Sequence, residues 1–265
     1  MNLPAIRRTF LLSAFSLVMG TGLVTQAIAG EQLDTIKKNG VISVGLEGTY
    51  PPFSFVGEDG NLTGFEVELS EALGKELGVK VKLQATPWAG ILAALESKRL
   101  DIVVNQVTIS DERKKKYDFS EPYTVSGIQA LVQTKDAGKY KTPESLTGAK
   151  VGMGLGTNYE QWLKTNVPGA IVKTYDDDPT KYQDLRVGRI DAILVDRLAA
   201  LELITKTKGQ LALSGDAFSR QESGIAVRKG EPELLAALNT ALEKLRADGT
   251  LAKLSQKYFQ ADVTK

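Results

Sequence analysis

The chain has 265 residues, 42% of them hydrophobic and 25% charged, with a formal net charge of +1. That composition suits a globular protein of one large or two ordinary domains, excludes disordered and fibrous classes, and lacks the basic excess that nucleic-acid binding requires. There is no cysteine and no histidine, which removes Ser-His-Asp and Cys-His nucleophiles and nearly all transition-metal sites; no metal and no cofactor is expected.

The first element is not part of the fold. Arg7 and Arg8 precede an apolar stretch from Phe10 to Gly20, and Ala27-Ile28-Ala29 supplies an A-x-A cleavage signal. This is the pattern of a secretory signal peptide over residues 1–29, cleaved after Ala29. Gly20, Thr21, Gly22, Thr25 and Gln26 interrupt the apolar run before it reaches spanning length. Loss of Arg7 and Arg8 from the 33 basic residues leaves 31 against 32 acidic, a net charge of −1. The mature chain is expected to be soluble and exported.

Val41 to Gly48 reads as a buried strand closed by turn residues. The loop Thr49-Tyr50-Pro51-Pro52-Phe53 follows, with two aromatics that either wall a pocket or anchor the loop in the core. Phe65, Leu69, Leu73 and Leu77 recur every four residues, which predicts a helix ending at Gly78. Val79 to Leu83 is a strand. Trp88, Ile91, Leu92 and Leu95 mark a helix, with Trp88 at its N-terminal end, and Leu100 to Val104 is a third strand. The pattern restarts at Lys150 with a strand and a glycine turn, a short helix over 159–165, and a strand over 170–175. Asp178 as N-cap with Pro179 at the first helical position starts the next helix, and Ile190 to Val195 forms the next strand. Strands alternating with helices predict parallel α/β sheets. Two leucine stripes, one from Leu234 to Leu245 and one from Leu251 to Tyr258, close the chain as helices.

The two halves echo each other: KRLDIVVNQ (98–106) and GRIDAILVD (188–196) align without a gap. Each strand ends on a polar residue, Gln106 in one and Asp196 in the other. Ligands of open α/β sheets sit beyond the carboxyl ends of the strands, so two such ends suit a shared cleft.

The stretch VVNQVTISDERKKKYDFS (103–120) carries the first candidate. Asn105, Gln106 and Thr108 supply polar groups at a strand exit and Arg113 follows one turn later. A guanidinium grips a carboxylate through two parallel hydrogen bonds. Taken alone, the segment is also a charged turn capped by Thr108 or Ser110. Asp196 has two compatible readings, a helix N-cap and a carboxylate for a ligand ammonium. GMGLGTNYE (152–160) imitates a dinucleotide turn, but its third glycine position holds Tyr159 or Thr157. The weaker reading is that Gly156, Thr157 and Asn158 present backbone N–H groups to a carboxylate. Asp176-Asp177-Asp178 is an acidic loop with one member used as a cap.

Together GLEGTYPPFSF, LTGFEVEL, the run from Trp88 to Tyr123, GLGTNYE and VGRIDAILVD resemble the family of exported amino-acid-binding proteins that feed ABC importers. The resemblance runs from about Gly30 to the C-terminus. Within the family, NQVTISDERKKKYDFS and YDDDPTKYQDLRVGRIDAILVDRLAAL are similar to the members that bind L-cystine. The resemblance implies an α/β, two-lobed periplasmic-binding-protein fold, each lobe a mostly parallel sheet flanked by helices, joined by two hinge strands. Lobe 1 is expected over 30–126 and 222–265 and lobe 2 over 127–221, the chain crossing near Ser126 and returning near Glu222. The resemblance also implies that Arg113, helped by Thr108, takes the ligand's α-carboxylate. By the same likeness Thr157 adds a backbone donor, and Asp196 takes the α-ammonium. Glu47, Tyr50, Phe53, Trp88, Gln106 and Asn158 are its side-chain pocket. A monomer in the periplasm that delivers an amino acid to a membrane permease, without catalysis, is what it implies. The absence of cysteine suits a disulfide ligand, which a free thiolate would attack. The competing class is an enzyme on the same fold, for which Glu47 or Glu66 is the candidate acid.

Overall fold

The computed structural model describes residues 31–265, so the signal peptide and cleavage site expected from the sequence lie outside the described residues. Helix α1 (Glu31–Asn39) leads into strand β1 (Val41–Leu46), and a small meander follows, β2 (Thr49–Tyr50), β3 (Ser54–Val56) and β4 (Leu62–Thr63). Then come α2 (Phe65–Leu77), β5 (Lys80–Ala85), α3 (Trp88–Glu96), β6 (Ile102–Val103), the single turn α4 (Asp111–Lys114) and β7 (Tyr117–Phe119). Long strand β8 (Thr124–Gln133) opens the second lobe. It holds β9 (Lys150–Gly154), α5 (Asn158–Asn166), β10 (Ile171–Tyr175), α6 (Asp178–Arg186), β11 (Ala192–Asp196) and α7 (Arg197–Lys206). Strand β12 (Leu211–Ser223) runs back, and β13 (Ala226–Arg228), α8 (Pro232–Ala247) and α9 (Thr250–Phe259) finish the first lobe.

The result is two lobes, each built on a five-stranded mixed sheet, in the orders β5-β1-β6-β13-β7 and β10-β9-β11-β8-β12. In each sheet the first three strands are parallel and the fourth runs the other way. The lobes are joined by β8 and β12, which pair antiparallel from Gln133↔Leu211 to Thr124↔Ser223 with a bulge between Ser214 and Ser219.

Local chemistry explains the elements. The apolar stripe of α2, Phe65, Leu69, Leu73 and Leu77, is buried, and each such side chain contributes roughly 1.5–3 kcal/mol by leaving water. Gly78 ends the helix in the left-handed region. At its start no side chain caps α2. Instead Phe65 N–H and Glu66 N–H donate to the carbonyls of Pro52 and Phe53, strapping the proline loop onto the helix. Gly64 makes this approach possible: its φ is 127°, and a Cβ there would sit 2.3 Å from the Phe53 carbonyl oxygen.

The internal echo has a physical basis. Asp101 and Asp191 each turn a carboxylate back to the first strand of their sheet. Asp101 Oδ2 accepts from Ser43 N–H and Oγ at 2.8 Å, and Asp191 Oδ2 accepts from Lys150 N–H at 2.8 Å. Their own N–H groups return bonds to the Ser43 and Lys150 carbonyls. Three residues earlier the chain takes a positive φ in both copies, 61° at Lys98 and 77° at Gly188.

One helix start differs from expectation. The N-cap of α6 is Asp177, whose carboxylate accepts from Thr180 N–H at 2.8 Å, and Asp178 is the first helical residue. The cap must reach the third N–H of the helix, and here Asp177 does so. Asp178 is thereby released to bind Lys181 and Tyr182, at 2.5 Å each.

Asp101→Ala strands the Ser43 N–H and is expected to lower the unfolding free energy by about 1–3 kcal/mol, read from urea denaturation. Asp191→Ala, whose partner is exposed, costs less. Parental stability in the Asp101 variant removes the buttressing role.

Candidate functional site

The carboxyl ends of both sheets face one cleft of about 610 Å³ including its open mouth. Lobe 1 lines it with Glu47, Tyr50, Trp88, Asn105 and Gln106. Lobe 2 contributes Thr157, Asn158 and Tyr159 from the start of α5, and Tyr175, Asp178 and Lys181 from the end of β10 and the start of α6. The cleft is where strand topology puts a ligand.

Two opposite charges lie next to this cleft without lining it, Arg113 in an adjoining cavity and Asp196 one residue past the lining Val195. Arg113 is set by the one-turn helix α4, where Ser110 caps by accepting from Arg113 N–H. Its Nη1 donates to the Thr108 carbonyl at 3.2 Å, and its guanidinium carbon lies 5.1 Å from the Trp88 ring centroid. It lines an adjoining cavity with Gly156, Thr157 and Asn158. Burial pulls its pKa below the usual arginine value. Lys114, Lys115 and Lys116 beside it are exposed. Asp196 ends β11, caps α7 by accepting from Leu198 N–H at 2.8 Å, and accepts a second bond from Ser126 Oγ at 2.8 Å. It is 2% exposed, and burial pushes its pKa up to about 6 against the pull of those hydrogen bonds. Among the described residues neither Arg113 nor Asp196 has an ion-pair partner. Burial raises the Tyr159 pKa, Asp196 adds to the rise and Arg113 opposes it.

The other residues read from the sequence fall in different places. Tyr50, 8% exposed, and half-buried Trp88 wall the cleft. Phe53 does not line it: fully buried, its ring packs 5.1 Å from Tyr50 and 5.5 Å from Phe259, so it anchors the loop in the core. Thr108 is buried and forms a bridge to Ser223 beside the connecting strands. Thr157 caps α5, accepting from Glu160 N–H and donating to the Gly154 carbonyl. Gly156 takes a φ of 71°, and its N–H is already given to the Glu160 carboxylate at 2.9 Å, so it holds no donor in reserve. Asn158 Nδ2 donates to Gln221 on β12 at 2.7 Å.

Sequence reasoning placed Glu47 in the pocket but missed Asp178 and Lys181, which meet it at the far end of the cleft. Glu47 and Asn105 clamp each other across β1 and β6, the Asn105 amide donating to Glu47 Oε2 and accepting from Glu47 N–H, both at 2.8 Å. Burial raises the Glu47 pKa to about 7; Asp178 raises it and Lys181 lowers it. Lys181 is 3% exposed and paired with Asp178. The i, i+3, i+4 spacing of Asp178, Lys181 and Tyr182 was the available signal.

Gln106 forms the floor with a φ of 46°. Its N–H donates to Glu66 Oε1 at 2.6 Å, and its Oε1 accepts from Thr124 Oγ1 at 2.9 Å. Tyr123 O–H also donates to Glu66, which is fully buried. Glu66 Oε2 and Gln106 Nε2 have no partner. Burial pushes the Glu66 pKa up from 4.5 to about 7. A carboxyl raised in the folded state stabilises fully below its unfolded pKa and loses that contribution as pH rises through the folded one. Glu66→Gln is therefore expected to remove a loss of up to about 3 kcal/mol between pH 4.5 and 7, at 1.36 kcal/mol per pKa unit. Urea unfolding at pH 5 and pH 8 checks this, and identical pH dependence in the variant and the parent counts against it.

Residues 42–261 match the bacterial extracellular solute-binding proteins, family 3. The chain is 60% identical over 266 residues to the L-cystine-binding protein TcyJ of Escherichia coli (strain K12), covering 100% of both chains. It is 39% identical over 239 residues to the L-cystine-binding protein TcyA of Bacillus subtilis (strain 168), covering 89% of this chain and 87% of the relative. Among solved structures, a mutant of the arginine-binding protein ArgBP from T. maritima superposes with a TM-score of 0.82 at 33% identity, over 86% of this chain and 99% of that one. A two-lobed fold with a charged cleft at its strand ends, and similarity of this extent, make the chain a member of family 3 of the bacterial extracellular solute-binding proteins.

Proposed function

We propose that the chain is the periplasmic substrate-binding component of an amino-acid ABC importer, that it binds L-cystine by lobe closure, and that it delivers the ligand to a membrane permease as a monomer. As a member of a solute-binding family it is a binding protein and not an enzyme. The full-length similarity to an L-cystine-binding protein supports the choice of ligand.

The observation that carries the mechanism is a pair of charges without counter-ions, half-buried Arg113 on one lobe and buried Asp196 on the other. A zwitterion complements both, its α-carboxylate on Arg113 beside Thr108 and its ammonium on Asp196. The start of α5 adds a donor at Asn158, since the Thr157 N–H, read from the sequence as a donor, is already given to the Gly154 carbonyl at 3.3 Å, and Tyr50 and Trp88 flank the side chain. Leaving either charge buried alone costs several kcal/mol, so the ligand-free cleft favours hydration and the ligand favours closure. Lobe 1 then comprises 30–126 and 222–265 and lobe 2 comprises 127–221, bending where Val125 pairs with Glu222. Ser126 at that point donates to Asp196, so the ammonium site and the hinge share a hydrogen bond. Export requires residues 1–29 as a signal peptide, cleaved after Ala29. Glu66 offers no enzymatic acid, being fully buried below the cleft.

Arg113→Ala and Asp196→Ala are each expected to weaken L-cystine binding by about 2–5 kcal/mol, the loss seen when a buried charge loses its partner. Isothermal titration on the mature protein measures it, and parental affinity in both variants ends this reading.

A further inference from the structure

Beyond the first amino-acid head, the cleft carries a second set of charged groups. Glu47 comes from the exit of β1, Asp178 and Lys181 from the start of α6 in the other lobe, and all three line the same cleft. Lys181 is 3% exposed, and a lysine so buried needs a reason beyond solubility. Its ammonium is fixed 2.5 Å from Asp178 Oδ1, while Tyr182 holds the other Asp178 oxygen at 2.5 Å. Glu47 has one oxygen bonded to Asn105 and no lysine or arginine within ion-pair distance among the described residues. Beside Asn105, Gln106 is 6% exposed, lines the cleft, and has an Nε2 with no partner. This end therefore offers an unpaired carboxylate, an anchored buried ammonium and an unused amide donor.

The two ends are continuous. Tyr50 and Tyr159 line one cleft with Glu47, Asp178 and Lys181 and with Val195, the residue before Asp196. The aromatic groups between them suit a sulfur-containing spacer. The α-carbons of a disulfide-linked pair are about 4.4–6.8 Å apart, so such a ligand carries its second head only a short spacer beyond the first.

We propose that Glu47, Asp178 and Lys181, with Gln106, form a second amino-acid head site that takes the distal ammonium on Glu47 and the distal carboxylate on Lys181 and Gln106 Nε2. This rests on the reading that Arg113 and Asp196 hold the first head. The ligand class is then a two-headed amino acid, of which L-cystine is one. A single-headed amino acid leaves Glu47 without a counter-charge and Gln106 Nε2 without an acceptor. A cationic side chain such as that of arginine answers Glu47 only and meets Lys181 as a like charge.

The test is isothermal titration of the mature protein with L-cystine, S-methyl-L-cysteine and L-arginine, in the parent and in Glu47→Gln and Lys181→Met. In the parent, L-cystine is expected to bind at least about 30-fold tighter than either other ligand, corresponding to the second charged head. The ratio of L-cystine to S-methyl-L-cysteine affinity is expected to collapse by about 10-fold or more in each variant. An unchanged ratio in both variants, or a parent that binds S-methyl-L-cysteine or L-arginine as tightly as L-cystine, overturns the second site. The parental ligand series stands even if Lys181→Met fails to fold. Arg113→Ala and Asp196→Ala separate the two readings. They are expected to weaken both L-cystine and S-methyl-L-cysteine and to keep the ratio near the parental value, and parental affinity for both overturns the first head site instead.

Discussion

Arg113 and Asp196 are charged side chains without a counter-ion, one on each lobe, the first partly and the second almost wholly withdrawn from water. Withdrawal of an ion costs several kcal/mol even after relaxation, and the fold spreads that cost over hydrogen bonds instead of an ion pair. Arg113 rests on the Thr108 carbonyl and the Trp88 ring; Asp196 rests on Ser126 Oγ and the first N–H groups of α7. Such bonds leave each charge uncancelled. The depressed arginine and raised aspartate pKa values are two signs of the same incomplete compensation. A direct Arg113–Asp196 contact would relieve both, but among the described residues no such pair forms, and the two side chains belong to different lobes.

That placement follows from a duplicated plan. Each sheet sets β1 between β5 and β6, or β9 between β10 and β11, so β1 and β6, and likewise β9 and β11, deliver their ends side by side at the same edge of the sheet. Asp101 and Asp191 lock those two strands together in each copy, at the end away from the cleft. The polar strand exits Gln106 and Asp196 are then equivalent positions used differently. Gln106 takes a positive φ and serves as floor, while Asp196 stays extended and caps a helix. One architecture thus supplies a neutral amide on one side and a carboxylate on the other.

Most of the architecture was legible because its signals are local. The four-residue stripe of α2, the glycine at its end and the repeated strand-exit pattern depend on near neighbours only. The misreadings came where a choice between neighbours depends on tertiary contacts. Asp177 and Asp178 are chemically identical candidates for one cap, and only the orientation of Lys181 and Tyr182 toward Asp178 decides between them. Phe53 and Tyr50 sit three residues apart in one loop, and the packing of Phe259 from the far end of the chain draws Phe53 inward. Gly156 looked free because the partner of its N–H, Glu160, lies within a helix whose acidic residue has a solvated reading equally open to it. Glu66 reads as an ordinary first-turn acid until Gln106, forty residues on, is found donating to it.

The floor of the cleft also bears on how the two lobes communicate. Glu66, Gln106, Tyr123 and Thr124 form one chain of hydrogen bonds that begins at the start of α2 and ends on the first residue of the crossing strand β8. Two residues along that strand, Ser126 binds Asp196, and opposite it Gln221 on the return strand binds Asn158 at the start of α5. Both connecting strands therefore make side-chain bonds to residues lining or bounding the cleft, at the segment where they pass between lobes. A binding site tied to its own connectors in this way is ordered by folding rather than by the ligand. The entropy of fixing these side chains is then already spent when a ligand arrives, and more of the charge complementarity appears as affinity.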